Sequence, residues 1–240
     1  DFYDWKKGTD TPESLGPNRA LKEGILTPQQ VFWGGVFFFA LGSGLGLYLV
    51  ATRGLLILYL GIFSVLAGWF YTAGPAAFAY IGMGEIVVFI FMGPVMIMGS
   101  YFVQMQSVNW NVFLVSIPIG LLVACILHAN NMRDIEDDRA NNKRTLANLL
   151  GRKASRWEYY VLIGGSYLTL VLLVLFGVAP PFVLLALLTL PKAAGLMRTA
   201  AVHEAPARLN KVIRGTADLH ERFGWLMIAG ILAAMVAQVV

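Results

Sequence analysis

Seven apolar runs, each close to the length of a bilayer-crossing helix, constrain this 240-residue chain more than any other feature. A helix needs roughly 20 predominantly apolar residues to cross about 30 Å of hydrocarbon. The runs fall at 31–52, 54–72, 84–105, 111–130, 158–178, 180–198 and 223–240, with Pro191 and Lys192 interrupting the sixth. The connections at Arg53-Gly54 and Pro180-Pro181 are so short that the helices they join must be antiparallel neighbours. The expected fold is all-α: a polytopic transmembrane helix bundle forming a single membrane-embedded domain over 1–240. Composition agrees. The chain is 58% hydrophobic and 13% charged, where soluble domains are about 45–50% apolar and about 25% charged. The single Cys125 lies inside an apolar run, which excludes an intrachain disulfide and places the residue in the core.

Threading the runs puts segments 1–30, 73–83, 131–157 and 199–222 on one side. Of 18 Lys and Arg, 16 fall in these segments or flank them, Lys192 lies within the sixth run, and only Arg53 is on the opposite side. The positive-inside rule makes the basic side cytoplasmic. Topology therefore accounts for the net charge of +4 without a nucleic-acid partner, and nothing in the sequence predicts a protein partner. Trp69, Tyr71, Trp110, Trp157, Tyr159 and Trp225 fall near run ends, as an interfacial aromatic belt would.

The acids collect on the same side. The stretch HANNMRDIEDDRANNKRTLANLLG, 128–151, holds four acids and four bases between Arg133 and Arg144. Asp134 and Asp138 are four apart and Asn131 lies one turn earlier. On a helix continuing out of the fourth run the three share a face. The first segment, DFYDWKKGTDTPESLGPNRALKEG, spaces Asp1 and Asp4 three apart and adds Asp10. A lone loop carboxylate is ordinarily solvated or paired at the surface. Two helically spaced acidic faces at one membrane boundary instead suggest a hard oxygen-ligand site. Such a site suits Mg²⁺, which binds through one or two carboxylates plus substrate phosphates. Lys143 and Arg144 stand ready for the remaining phosphate charge. Glu136 and Asp137 point away from that face.

These two stretches, together with YTAGPAAFAYIGMGE at 71–85, resemble the UbiA-type intramembrane prenyltransferases, and within them the branch that prenylates 1,4-dihydroxy-2-naphthoate on the way to menaquinone. The resemblance runs over nearly the whole chain. It implies an all-helical bundle of nine spans with two acidic motifs on cytoplasmic helix ends. Asp1 and Asp4 match the first motif, Asp10 an acid further along, and Asp134 and Asp138 the second. The resemblance implies that these carboxylates hold Mg²⁺ bridging a polyprenyl diphosphate, and that Lys143 occupies a basic position followed by Arg144. Tyr71, Gly84 and Glu85 match a linker lining the reaction chamber. The Asn that opens the first motif is absent because the sequence begins at Asp1. With seven spans of an expected nine and a non-Met start, the sequence reads as a fragment lacking two N-terminal helices. Asn142 stands where the branch has Gly, a substitution that still tolerates a left-handed turn.

The implied reaction is transfer of a polyprenyl group from an allylic diphosphate to an aromatic acceptor, in a chamber open to the lipid bilayer of a prokaryotic cell membrane, with the charged mouth cytoplasmic. Other acceptors in the same chemistry are hydroxybenzoate, homogentisate, a porphyrin or a glycerol phosphate. A transporter would instead require ionisable groups near the midplane. Beyond Glu85 and Lys192 near run ends the sequence offers none. Gly42 and Gly46, in GSGLG, read as close helix packing. Met92, Met96 and Met98 form a soft patch, either core or a groove for a prenyl tail. His128 reads as a hydrogen-bonded histidine at the interface. Asn210, Lys211 and Arg214 form either a lid over the site or a plain amphipathic surface segment.

Overall fold

The computed structural model describes residues 2–7, 19–74 and 77–238. In chain order the helices are α1 (Phe2–Lys6), α2 (Arg19–Lys22), α3 (Pro28–Arg53), α4 (Leu55–Thr72), α5 (Gly84–Ile90), a π-helical stretch (Phe91–Val95), α6 (Met96–Met105), α7 (Trp110–Arg133), α8 (Ile135–Ala140), α9 (Leu146–Leu175), a 3-10 stretch (Pro181–Thr189), α10 (Leu190–Val202) and α11 (Pro206–Ala237). Among the described residues there is no strand, only an isolated parallel bridge between Ile81 and Arg144. Among the described residues seven segments are long and apolar enough to cross a bilayer: α3, α4, Gly84–Met105, α7, α9, Pro181–Val202 and α11. The all-α polytopic bundle expected from the apolar runs is borne out, and the chain is an integral membrane protein.

The helix starts follow local chemistry. Thr27 and Gln30 form a reciprocal capping box ahead of Pro28, the Thr27 side chain accepting from the Gln30 amide and the Gln30 side chain from the Thr27 amide. Two helices begin well before their apolar runs: α9 at Leu146 and α11 at Pro206. Segments 131–157 and 199–222 are therefore largely helical, continuing α9 and α11 beyond their apolar runs. Within α9 the backbone breaks at Gly151, whose φ of 76° suits a residue without Cβ, and Ser155 donates to the Ala147 and Gly151 carbonyls across the break.

The core surrounds α7, which packs against α5, α9 and α11. Leu122, Cys125, Ala129, Ile163, Leu170, Leu219 and Phe223 are buried there. Burial of Cys125 matches its expected core role. In lipid, helix association relies on close packing and interhelical hydrogen bonds rather than on water exclusion. Both are present. A Cβ on Gly93 would lie 2.7 Å from the Gly120 Cα, so α7 and the π-helical stretch approach backbone to backbone. The Tyr159 hydroxyl meets Thr216 Oγ1 at 2.7 Å and the Tyr167 hydroxyl meets Thr189 Oγ1 at 2.6 Å, both buried. Tyr159 is thus a core residue and not part of an aromatic belt, whereas Trp69, Trp110, Trp157 and Trp225 are exposed. Lys192 on α10 pairs with Asp218 on α11, which explains a cation inside the sixth run.

Gly42 and Gly46 do not mediate close packing. Among the described residues nothing lies within 4 Å of a Cβ built on either. They line a large cavity instead.

Candidate active site

Two cavities meet at the polar end of the bundle. The larger, about 1400 Å³, lies between α3, α4, the Gly84–Met105 segment and α7. Its walls are almost wholly apolar and include Leu47, Ile57, Phe91, Met92 and Met96. Of the three methionines noted in the sequence, Met92 and Met96 line it and Met98 does not. Ordinary small-molecule pockets hold roughly 300–1,000 Å³, so this chamber suits a long apolar ligand. The smaller cavity, about 150 Å³, is lined by Asp4, Tyr71, Thr72, Glu85, Asn130, Asn131, Lys143 and Thr145 among others. Tyr71, Leu127 and Asn130 line both, so the polar cavity opens onto the apolar chamber.

The mouth is assembled from distant segments. Asp4 on α1 accepts a hydrogen bond from the Tyr80 hydroxyl at 2.7 Å. Lys7, just past α1, donates to the Thr72 carbonyl at 2.8 Å, and its ammonium sits 3.9 Å from the centroid of the Tyr80 ring. These contacts anchor the first acidic motif to α4 and to the 3-10 turn Phe78–Tyr80. The Arg144 amide donates to the Tyr80 carbonyl at 3.3 Å, which ties that turn to the second motif. Lys143 pairs with Asp138 at 3.2 Å and lies 5.8 Å from the Tyr80 ring centroid. Asn142 adopts φ 54°, the left-handed conformation anticipated for it, and this reversal lets the Lys143 amide bond the Asp138 carbonyl at 2.8 Å.

The expected continuous acidic helix is not formed. α7 ends at Arg133, Asp134 takes φ −96° and ψ 12°, and α8 restarts at Ile135. The break separates the roles of the three residues expected on one face. Asn131 points to the interior, where its amide donates to Glu85 Oε1 at 2.9 Å. Asp134 is held by Arg133, with Nε to Oδ1 at 2.6 Å and Nη2 to Oδ2 at 2.5 Å. Asp138 is buried, and its Oδ2 has no partner among the described residues. Burial, with a smaller contribution from the charge of Asp134, pushes the Asp138 carboxyl up to about 6 despite the opposing Lys143 ammonium.

The structure thus gathers Asp4, Tyr71, Glu85, Asn131 and Lys143 around one cavity, with Asp138 joined to it through Lys143. Arg144 is exposed and contributes through its backbone. Asp1 and Asp10 lie outside the described residues. Lys211 and Arg214 are exposed, while Asn210 accepts from Arg133 Nη1 at 2.6 Å and ties α11 to the end of α7. Sequence reading missed Arg133, Tyr80 and Lys7, whose contacts span up to 77 positions and carry no local signature. It also missed the partners of His128, which is fully buried. His128 Nε2 donates to the Ser155 carbonyl at 2.8 Å, and Nδ1 lies 3.2 Å from Glu85 Oε1 and 3.5 Å from Glu158 Oε2.

A divalent cation fits the mouth. Asp138 Oδ2, a buried carboxylate oxygen with no donor among the described residues, and the oxygens of Asp4, Asn130 and Asn131 in the cavity wall are the hard donors that suit Mg²⁺.

An apolar chamber within a helical membrane bundle, opening into an acidic and amide-lined mouth with Lys143 in its wall, suits an amphiphile with an anionic head. The sequence comparisons make this specific. The profile of the UbiA prenyltransferase family matches residues 1–216. The 1,4-dihydroxy-2-naphthoate octaprenyltransferase of Bacillus subtilis (strain 168) is 32% identical over 97% of this chain and 75% of the relative. The protein of that name from Escherichia coli (strain K12) is 36% identical over 74% of this chain and 59% of the relative. The UbiA prenyltransferase domain-containing protein 1 of Gallus gallus is 34% identical over 97% of this chain and 68% of the relative. The chain belongs to the UbiA prenyltransferase family, and its class is that of a membrane prenyltransferase.

Proposed function

We propose that this protein transfers a polyprenyl group from an allylic diphosphate to 1,4-dihydroxy-2-naphthoate, in the synthesis of menaquinone, with its polar mouth on the cytoplasmic face of a prokaryotic cell membrane. The observation that carries this reading is the continuity of the apolar chamber with the acidic cavity through Tyr71, Leu127 and Asn130. A donor with a long apolar tail and a multiply charged head requires that combination. The names of the bacterial relatives favour the naphthoate acceptor and a polyprenyl donor. The excess of Lys and Arg on the mouth's side favours the cytoplasmic orientation.

In this reading Asp4, Asp134 and Asp138, and the Asp1 and Asp10 that the sequence motifs add, would hold Mg²⁺. When bound, the metal neutralises charge on the departing diphosphate. Lys143 places its ammonium in the cavity wall and Lys7 bonds the carbonyl of Thr72, a wall residue; both bind the diphosphate and favour charge developing as its bond to the allylic carbon breaks. Tyr80 orients Asp4, and Arg133 holds Asp134 until a cation competes for it. The apolar chamber keeps water from the allylic cation. Tyr71, at the junction of the cavities, presents an aromatic face to it.

The test is transfer from a labelled polyprenyl diphosphate by the lipid-reconstituted protein, with 1,4-dihydroxy-2-naphthoate and the alternative rings offered side by side. Prenylated naphthoate formed only with Mg²⁺ is expected. Transfer to another ring in preference would reassign the acceptor, and transfer to none would refute the reading.

A further inference from the structure

The polar cavity contains a carboxylate that the diphosphate clamp does not use. Glu85 lies in the first turn of α5 and is 4% exposed, an acid with almost no solvent to stabilise its charge. Its Oε1 accepts from Asn131 at 2.9 Å and faces His128 Nδ1 at 3.2 Å, while its Oε2 has no hydrogen-bond partner among the described residues. His128 cannot turn freely, because Nε2 is committed as a donor to the Ser155 carbonyl. With Nε2 carrying a proton, the contact between Nδ1 and Glu85 requires a further proton on one of the two. Glu158, 3.5 Å from the same Nδ1, adds a second carboxylate to the pool. The other ionisable groups around Glu85 are Tyr71 on α4, Asp4 on α1 and Lys143 beyond α8, all of which line the same cavity. The result is a buried acid with one lone oxygen, fixed by Asn131 and backed by an imidazole that can take up or return a proton.

We propose that Glu85 is the general base that removes the hydroxyl proton of the aromatic acceptor, with His128 and Asn131 as positioning residues and Glu158 sharing the proton. The assignment rests on the proposed reading that the acceptor is a hydroxylated ring. A neutral phenolic ring is a modest nucleophile, and withdrawing its hydroxyl proton pushes electron density onto the ring carbon that attacks. The C–O bond of the allylic diphosphate breaks, and its electron pair leaves with the diphosphate. The ring's π electrons form the new C–C bond while the O–H electron pair becomes a ring carbonyl. The hydroxyl proton passes to Glu85. The ring carbon then sheds its second substituent, as carbon dioxide or as a proton taken up by the departed diphosphate, the released pair restores the aromatic ring, and the oxygen takes its proton back from Glu85.

The experiment compares the lipid-reconstituted wild type with Glu85→Gln, Glu85→Asp and His128→Gln. It uses hydroxylated acceptors of graded acidity across pH, and follows both ring prenylation and diphosphate release from the donor without acceptor. Glu85→Gln is expected to lose about 100-fold or more of kcat for prenylation, the scale of general-base catalysis, while diphosphate release without acceptor persists. The deficit should shrink for more acidic hydroxyls and at higher pH, where the acceptor ionises unaided. Glu85→Asp should recover part of the rate, and His128→Gln should shift the pH profile. Prenylation by Glu85→Gln within about threefold of wild type, or a deficit independent of acceptor acidity and pH, would overturn the assignment. So would equal loss of diphosphate release, or a stoichiometric transition metal that His128→Gln removes. If the wild type releases diphosphate yet prenylates no hydroxylated ring, the acceptor reading itself fails and this assignment falls with it.

Discussion

Replacing Tyr80 by Phe tests the hydroxyl from which Asp4 accepts a hydrogen bond. The hydroxyl of Tyr80 donates to Asp4 Oδ1 at 2.7 Å, while its ring carries the Lys7 ammonium at 3.9 Å. Phe keeps the ring and its cation contact and removes the hydroxyl. A hydrogen bond to a charged group contributes about 1.5–3 kcal/mol, and about 1.4 kcal/mol is a factor of ten at 25 °C. Tyr80→Phe should therefore weaken the Mg²⁺ dependence of prenyl transfer by about 10- to 150-fold, with little change in thermal stability because the site is only partly buried. The assay is a Mg²⁺ titration of transfer in lipid, run also for Asp4→Asn and the double variant. If the hydroxyl acts by orienting Asp4, the double variant should be little worse than Asp4→Asn alone. Tyr80→Phe behaving within about twofold of wild type, or effects that simply add, would refute the role given to this contact.

Arg133→Ala removes the bond between α7 and α11 at Asn210 and leaves Asp134 without its guanidinium. Breaking a buried ion pair typically costs about 3–5 kcal/mol, so a fall in melting temperature of several degrees is expected by fluorescence-monitored unfolding; an unchanged midpoint would contradict it. Asp138 also supplies a pH dependence. Its folded carboxyl is raised from 3.8 to about 6, so the fold binds that proton more tightly than the unfolded chain does. The stability this group contributes to the metal-free protein is present below about pH 4 and is lost as pH rises through about 6. A cation must displace that proton, so apparent Mg²⁺ affinity should fall up to about tenfold per pH unit below about 6 and level off above about 7. Affinity that is flat from pH 5 to 8 would show that Asp138 does not bind the metal.

The bundle was legible because bilayer thickness sets a length that composition alone reveals, and all seven apolar runs became helices. The helix extents were less legible. α9 and α11 start among charged residues such as Arg152, Lys153, Lys211 and Arg214, where hydropathy carries no signal although the backbone stays helical. The acidic motifs that sequence singled out lie beside the polar cavity, Asp4 in its wall and Asp138 joined to it through Lys143. Their geometry did not follow, because extrapolating helical spacing through Asp134 misses a break that Arg133 stabilises by gripping both carboxylate oxygens. Glu85 was picked out only through resemblance. Its partners His128, Asn131 and Glu158 come from two other helices, and no one-dimensional pattern brings residues 43 and 46 positions away onto one carboxylate.

A polyprenyl diphosphate bearing a photoreactive group at the far end of its tail would test the continuity of chamber and mouth in one experiment. Irradiated on the lipid-reconstituted protein, it should mark chamber-lining residues of α3, α4 or α6, such as Leu47, Ile62 or Met96. The marking should be lost when inorganic diphosphate with Mg²⁺ occupies the mouth. Adducts confined to α10 or the outer face of α11, or chamber adducts indifferent to diphosphate, would contradict a single site running from the acidic mouth into the apolar chamber.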